Sequence, residues 1–301
     1  MSTKFWSKKN FVIFAFLTFL IIPANILAQE DNQEAKKIFN SALEAQQNGD
    51  DSTAILLYGG VIDEDGNFLD AFINRGSIFF KRKIYGNAEI DFKKATEIDP
   101  TSTDAWANLG RVYYKQKKYD DALNSYNTVI SNNAEYFEIY KDLGLVQFVK
   151  KDWAGLVKSM TTYTQHFTND YLPYYLAGKA QQKLKKYPEA IASYKKSIGL
   201  KKDYFNSFNS LGQIYQAQEK FTSAFTNFKK AVQVKPDNYR AIYNMAISFE
   251  SGNQDDVDNV IKYWNQFLKV ARKNPKAKSM IPGIEEHLKD LNDLKEYNKN
   301  N

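Results

Sequence analysis

The sequence repeats itself every 34 residues, and this period constrains the fold more than any other feature. A small residue returns at one phase seven times, at Ala42, Gly76, Gly110, Gly144, Gly178, Gly212 and Ala246. A bulky apolar residue precedes each by four positions, at Ile38, Phe72, Trp106, Tyr140, Tyr174, Phe208 and Ile242. Periods of about 20–50 residues are typical of solenoids, in which each unit buries its apolar face against the next.

Within one unit, the apolar residues follow the spacing of two helices. In the third unit, Trp106, Gly110 and Tyr113 fall on one face of a helix, and Ala122 and Tyr126 form a second apolar stripe after a polar break. The small residue allows the two helices to approach where an aromatic ring fills the gap between them. The period therefore predicts pairs of helices that stack one on the next. A β fold rich in tight turns is disfavoured, because the chain has only 14 Gly and 7 Pro.

These columns resemble the tetratricopeptide repeat family. The family pattern of an aromatic, Leu-Gly, Tyr, Ala and a second aromatic is matched at Trp106, Leu109, Gly110, Tyr113, Ala122 and Tyr126. The resemblance covers residues 35–274 and implies an all-α fold, a right-handed α-solenoid of about seven helix-turn-helix repeats, starting near 35, 69, 103, 137, 171, 205 and 239. The fourth repeat departs from the pattern, with Leu156 for the small Ala and Met160 for the aromatic.

A further amphipathic segment follows the last repeat. Ile284, Leu288, Leu291 and Leu294 share one helical face, and Pro282 is well placed in a first turn because its missing N–H needs no partner there. We expect a capping helix at residues 279–297 that covers the apolar face of the last repeat. The alternative is a helix on which a partner docks.

The N-terminus has the layout of a secretory signal peptide. Three lysines and no acid among the first ten residues precede an uncharged apolar run from Phe11 to Ile22, and the small Ala28 stands before a polar segment. We expect residues 1–28 to be removed after Ala28 and the protein to be exported, periplasmic or secreted. In the alternative, the segment is retained as an inner-membrane anchor and the rest of the chain faces the periplasm. This anchor is the only attachment to a membrane that we predict.

Composition argues against several classes of function. The chain has no Cys and two His, which excludes disulfides and thiolate chemistry and leaves little for metal or triad sites. No catalytic, phosphate-binding or metal motif stands outside the repeat columns, so we expect no enzyme activity, cofactor or metal. The net charge of +6 (41 − 35) falls to +3 (38 − 35) without the three lysines of the leader. We therefore expect no nucleic-acid partner.

In the family that the sequence resembles, the first helix of each repeat lines the concave face, where peptides or partner proteins bind. The resemblance assigns candidate groove residues to the positions three and two before the small residue, and one, four and five after it. They are Asn74, Asn108, Arg111, Tyr114, Lys115, Lys141, Phe148, Tyr175, Lys179, Gln182, Lys183, Asn209, Gln213, Tyr243 and Asn244, with Ala107, Val149, Gln216 and Glu250 at the same positions.

The middle of this groove is basic and aromatic. Its five cations are Arg111, Lys115, Lys141, Lys179 and Lys183. We therefore expect a protein or peptide partner that presents acidic or carboxylate groups. The two-carboxylate clamp of the family's chaperone adaptors is absent, because Leu145 and Leu176 stand where it needs Asn.

The sequence thus predicts a non-enzymatic, exported scaffold that binds proteins of the cell envelope along its concave face. The alternative is an accessory subunit of an envelope complex that binds a glycan or another polymer on the same groove.

Overall fold

The computed structural model describes the backbone of residues 24–300 and the side chains of residues 33–299. Most of the predicted signal peptide lies outside the described residues. The predicted cleavage position, Ala28, lies within the first described helix. In the part of the chain that is described, no helix has both the length and the hydropathy needed to cross a membrane.

The described residues form α-helices joined by short turns, with no strand among them, and the predicted all-α repeat fold is confirmed. The helices pair along the chain as first and second helix of each repeat. They are α1 (Ala24–Gln47), α2 (Asp51–Glu64), α3 (Leu69–Lys81), α4 (Tyr85–Ile98), α5 (Thr103–Lys115), α6 (Tyr119–Asn132), α7 (Ile139–Lys150), α8 (Trp153–His166), α9 (Tyr171–Lys183), α10 (Tyr187–Leu200), α11 (Phe205–Ala217), α12 (Phe221–Val234), α13 (Tyr239–Gly252), α14 (Val257–Ala271) and α15 (Ile281–Asn300), with a 3-10 turn at Pro275–Met280.

The chain divides into two compact units after Asp99. Unit 1 contains the pairs α1–α2 and α3–α4, and unit 2 contains the remaining five pairs and α15. Inside each unit, every helix packs against the next one along the chain. In unit 2 the first helices α5, α7, α9 and α11 also contact their neighbours in that series. These contacts join α5, α7, α9 and α11, and residues of α11 and α13 line one cleft; we call the surface of these five first helices the first-helix face.

Each pair is held together where the small residue of the first helix meets a bulky side chain of the second. A Cβ atom on Gly110 would overlap the fully buried Tyr126 ring, so only Gly fits. In the fourth pair, Met160 occupies the place of the aromatic, and a Cβ on Gly144 would overlap its Cε atom. The departure of the fourth repeat from the family pattern thus preserves the close approach of the two helices with a different side chain.

The turn inside each of the first six pairs contains one residue with left-handed backbone geometry. These residues are 34 positions apart and have φ between 56° and 78°, at Gly49, Lys83, Lys117, Lys151, Lys185 and Glu219. The left-handed conformation disfavours a Cβ atom, so Gly is the residue expected there. Only the first turn has Gly, which is why the sequence alone did not reveal this column.

The C-terminal segment packs on the last repeat as a helix, α15. Leu288 is 7% exposed and packs with Ile284 and Leu291 on the core of the α13–α14 pair. The prediction was wrong for Leu294, which is 45% exposed. Lys295 pairs with the first turn of α14, at Asp258, so little of α14 remains to cover the end of α15.

Candidate functional site

The structure places the predicted groove residues of unit 2 on the first-helix face. Fourteen of the fifteen candidates, from Asn108 to Asn244, lie on α5, α7, α9, α11 or α13. Lys115 and Lys183 are exposed, and the other twelve are half-buried. Asn74 lies on α3 in unit 1 and is described with that unit alone.

One predicted position is not on the surface. Ala107 is fully buried, packed with Tyr126 of α6 and Ile139 of α7 in one core cluster. The position three before the small residue is therefore covered by the next repeat when its side chain is short, whereas the longer side chains at this position, such as Lys141 and Asn209, reach past that contact and stay half-buried.

Four of the candidates line a cleft of about 530 Å³ between α11 and α13, which we call the α11–α13 cleft. They are Asn209 and Gln213 of α11 and Tyr243 and Asn244 of α13. The other lining residues, not selected from the sequence, are Phe205, Asn238, Tyr239, Arg240 and Met280. A signal for two of these existed in the sequence. An aromatic recurs seven positions before the small residue in four successive repeats, at Phe137, Tyr171, Phe205 and Tyr239.

The cleft combines aromatic rings with side-chain amides that the fold does not use. Within residues 33–299, Asn209, Gln213 and Asn244 make no side-chain hydrogen bond, so their donors and acceptors face solvent. The ring of Tyr243 packs against two aromatic rings of α14, with its centroid 5.5 Å from that of Trp264 and 5.4 Å from that of Phe267. The arrangement offers hydrogen bonding in both directions beside a fixed apolar surface.

Two predicted cations of the face are neutralised by acids of the next repeat. The Arg111 Nε donates to Asp142 Oδ2 at 2.7 Å, and the Lys141 Nζ donates to Asp170 Oδ2 at 2.5 Å. Burial acts to lower the pKa of the Arg111 guanidinium, but the charge and hydrogen bond of Asp142 outweigh it and the pKa is raised. The pKa of Lys141 is raised in the same way, against burial, by Asp170.

The sequence prediction missed both acids. Asp142 stands two positions before Gly144, in the same repeat column as Asn108 and Asn244, so its location on the face could have been predicted. Asp170 caps the N-terminus of α9, where its side chain also accepts a hydrogen bond from the Leu172 N–H. Part of the basic character predicted for the groove is therefore cancelled within the fold.

The cations of α9 remain uncompensated. Lys179 is half-buried and Lys183 is exposed one turn later on the same helix. Burial, followed by the charge of Lys183, lowers the pKa of Lys179. Beside them, burial and the neighbouring Tyr204 raise the pKa of Tyr175 to about 12, so the phenol is neutral at physiological pH.

At two of the positions four after the small residue, Gln182 and Glu250, the polar side chain is used by the fold. Gln182 accepts a hydrogen bond from the buried Tyr194 hydroxyl at 2.9 Å. At the corresponding position, Glu250 accepts from Trp264 Nε1 at 2.9 Å and lies 2.7 Å from His287 Nε2. Glu250 therefore links α13 to α14 and α15, and its carboxylate is committed to these two contacts. His287 lies at this helix interface.

Comparison with solved structures places the chain among repeat proteins of one fold. The C-terminal part of a TPR repeat-containing protein from Cytophaga hutchinsonii is 18% identical and superposes with a TM-score of 0.65 over 81% of this chain and 99% of that part. YrrB, described as a TPR protein with an unusual peptide-binding site, is 18% identical, with a TM-score of 0.58 over 62% of this chain and 96% of its own. MamA is 21% identical, with a TM-score of 0.54 over 58% of this chain and 94% of its own. Identities this low show the shared fold alone.

Sequence comparison identifies the repeats themselves. Curated proteins give no significant match. Family models described as tetratricopeptide repeat match residues 69–102 and 205–238, and residues 92–124. A further model, described as TPR repeat, matches residues 110–150 and 178–219. With its paired helices and its repeat columns, the chain belongs to the tetratricopeptide repeat family.

Proposed function

We propose that this protein is a non-enzymatic scaffold that binds extended segments of partner proteins on its first-helix face, with the α11–α13 cleft as the main site. The observation that carries the proposal is the set of three uncommitted amides beside Phe205, Tyr239 and Tyr243. An extended peptide presents an N–H and a C=O group at each residue, and a side-chain amide can pair with either. The aromatic rings would supply most of the affinity, as buried aromatic anchors do in other interfaces.

The fold supports this proposal. A first-helix face built from successive helices gives a continuous surface suited to an extended ligand. YrrB, which shares the fold, is described as having a peptide-binding site. The partner class is inferred from the chemistry of the cleft.

Selection of peptides from a random displayed library by the purified full-length chain tests the proposal. Selected peptides are then titrated against the parent chain and two variants of the cleft, Tyr243→Ala and Gln213→Ala. Loss of a buried aromatic anchor should weaken binding by about tenfold or more. Gln213→Ala is included because Tyr243 also packs on Trp264, and its loss can reduce stability. Thr222→Ala, at an exposed site on the second helix α12, is the matched control and should leave affinity unchanged.

Two outcomes contradict the proposal. Peptides that bind both cleft variants as tightly as the parent would place the site elsewhere. The second outcome is that no peptide is selected, that the chain binds oligosaccharides on a glycan array, and that Tyr243→Ala abolishes this binding. It would favour the glycan-binding subunit instead, because flat aromatic rings and amide side chains also suit sugars.

We also propose that the protein is exported and that its partners belong to the cell envelope. Support comes from the lysine-rich start, the apolar run from Phe11 to Ile22 and the small Ala28. Mass spectrometry of the protein from fractionated cells should find a mature N-terminus at Gln29 in a soluble envelope or secreted fraction. An intact N-terminus in carbonate-resistant membranes would indicate the anchor, and recovery in the cytoplasm would overturn export.

A further inference from the structure

The cations on the first helices of unit 2 differ in whether the fold provides them with an acid. Arg111 and Lys141 each have a carboxylate of the next repeat within 2.7 Å. Within residues 33–299, Lys179 has neither an ion pair nor a hydrogen bond. Because all three side chains are half-buried on the same face, the difference is not one of exposure.

The repeat register explains why the acid is missing at Lys179. Lys179 directly follows the small residue of α9, as Arg111 does in α5, two periods of 34 earlier. Arg111 reaches Asp142, and the residue in register with Asp142 two periods later is Ser210. Ser210 is uncharged and buried. The fold therefore places a cation at the equivalent position without its counter-charge.

The surroundings of Lys179 offer no substitute. Lys183 adds a second positive charge on the same helix. Tyr175 precedes Lys179 by one turn of α9, and its ring meets that of Tyr204 edge to face with centroids 5.2 Å apart. Holding an ammonium group partly out of water without a counter-charge is unfavourable, and an anion from outside the chain would relieve the penalty. The lowered pKa of Lys179 agrees with this imbalance.

Lys179 also lies where a segment bound in the cleft would continue. Helices α9 and α11 contact each other, and Asn209 of α11 lines the α11–α13 cleft. A peptide that fills the cleft and extends along the first-helix face therefore passes from α11 onto α9. The aromatic wall of Tyr175 and Tyr204 lies on that path.

We propose that Lys179, assisted by Lys183, binds the side-chain carboxylate of an Asp or Glu in the partner segment, and that Arg111 and Lys141 do not. The inference rests on the proposed function and adds the chemistry of one subsite to it. The acid should fall at a fixed distance in sequence from the residue that enters the α11–α13 cleft, because both contacts are set by neighbouring first helices.

The test compares the residues selected from the same random peptide library by the parent chain, by Lys179→Met and by Lys179→Glu. The parent should enrich Asp or Glu at one fixed position, Lys179→Met should lose that enrichment, and Lys179→Glu should enrich Lys or Arg there instead. Replacing the selected acid by Gln or Asn in a synthetic peptide should weaken binding to the parent by about tenfold, the expectation for a partly buried charged hydrogen bond. The same replacement should have no effect on binding to Lys179→Met.

Lys158→Glu is the matched control, since it makes the same charge change at an exposed site on α8. If this variant alters the selected residues as Lys179→Glu does, the preference is a general charge effect and the inference is overturned. If the selected peptides need Tyr243 and Gln213 but carry no acid at a fixed position, the proposed function stands and the inference falls. If no peptide is selected, both fall.

Discussion

Two regions of the first-helix face are built alike and charged differently. In the α5–α7 region, Arg111 is paired with Asp142; in the α9–α11 region, Ser210 occupies the repeat position of Asp142, and Lys179 has no acidic partner among residues 33–299. The helices, the register and the burial of the two cations are equivalent, and one residue in the next repeat decides whether the charge is satisfied internally. In a repeat protein, binding chemistry can thus change between neighbouring units while the architecture stays constant.

The largest expected effect is a loss of stability, and it shows whether the helix pairs of the two regions are packed equally tightly. Gly110→Ala and Gly212→Ala place a Cβ atom against Tyr126 and Phe228. Each should cost about 1–3 kcal/mol through overpacking, because a fully buried ring cannot move aside. Urea unfolding monitored by circular dichroism measures the loss.

Gly199→Ala is the control for these two variants. A Cβ atom at Gly199 meets no other atom within 4 Å, so this variant should lose no stability. If Gly110→Ala and Gly212→Ala differ strongly from each other, the cores of the two regions are not equivalent and the comparison of their surfaces loses its basis.

The second prediction converts the paired region into the unpaired one. Asp142→Ser places at position 142 the residue that stands at the equivalent repeat position, Ser210, two periods later. It should lower the free energy of unfolding by about 1 kcal/mol, the typical contribution of a partly exposed charged pair. Asp120→Ser removes the partner of Lys150 at a site where Asp120 is 83% exposed, and should change stability far less. Equal losses for the two variants would mean that the Arg111 pair is an ordinary surface contact.

The third prediction uses the opposite pKa shifts of two lysines. The pKa of Lys141 is raised above the unfolded value of 10.5, so its pairing stabilises the protein below pH 10.5 and is lost as pH rises through the folded pKa. The pKa of Lys179 is lowered, so its charge penalises the folded state at neutral pH and the penalty is relieved as pH rises from the folded pKa towards 10.5.

Lys141→Met should therefore destabilise the protein at pH 8, and Lys179→Met should stabilise it slightly, each by less than about 1 kcal/mol. The difference for Lys179→Met should shrink as pH rises towards 10.5, and the difference for Lys141→Met should shrink only above pH 10.5. Unfolding free energies measured between pH 8 and 11 give the signs directly. The same sign for both variants would contradict the distinction between paired and unpaired cations.

The smallest expected effect lies in the turns, which the two regions share. Lys117→Gly and Glu219→Gly relieve a left-handed backbone with φ of 64° and 56°. The relief is largely offset by the extra freedom of Gly in the unfolded chain, so each variant should gain less than about 1 kcal/mol in stability. Melting temperatures that change by different amounts in the two turns would indicate that the turns differ in contacts as well as in backbone.

Much of the fold could be predicted from the sequence because its determinants recur. The spacing of Gly110 and Tyr126, repeated every 34 residues, specified the paired helices, and a substitution such as Met160 did not disturb it. Most of the candidate face followed from the same register. Local geometry was harder: the left-handed turn at Lys117 gave no signal, because Lys there does not differ from any exposed residue.

The sequence by itself determined the family, the helix pairs and the helices that carry the candidate site, since these depend on apolar periodicity, which the order of residues records directly. Only the tertiary structure decided which cations are free, which amides are unused and where a cleft opens. Those properties depend on contacts between residues about 30 positions apart, such as Arg111 with Asp142 and Lys141 with Asp170, and on whether a side chain such as Ala107 is long enough to pass the next helix. Periodicity sets the column of a residue, and packing against the next repeat sets its partner.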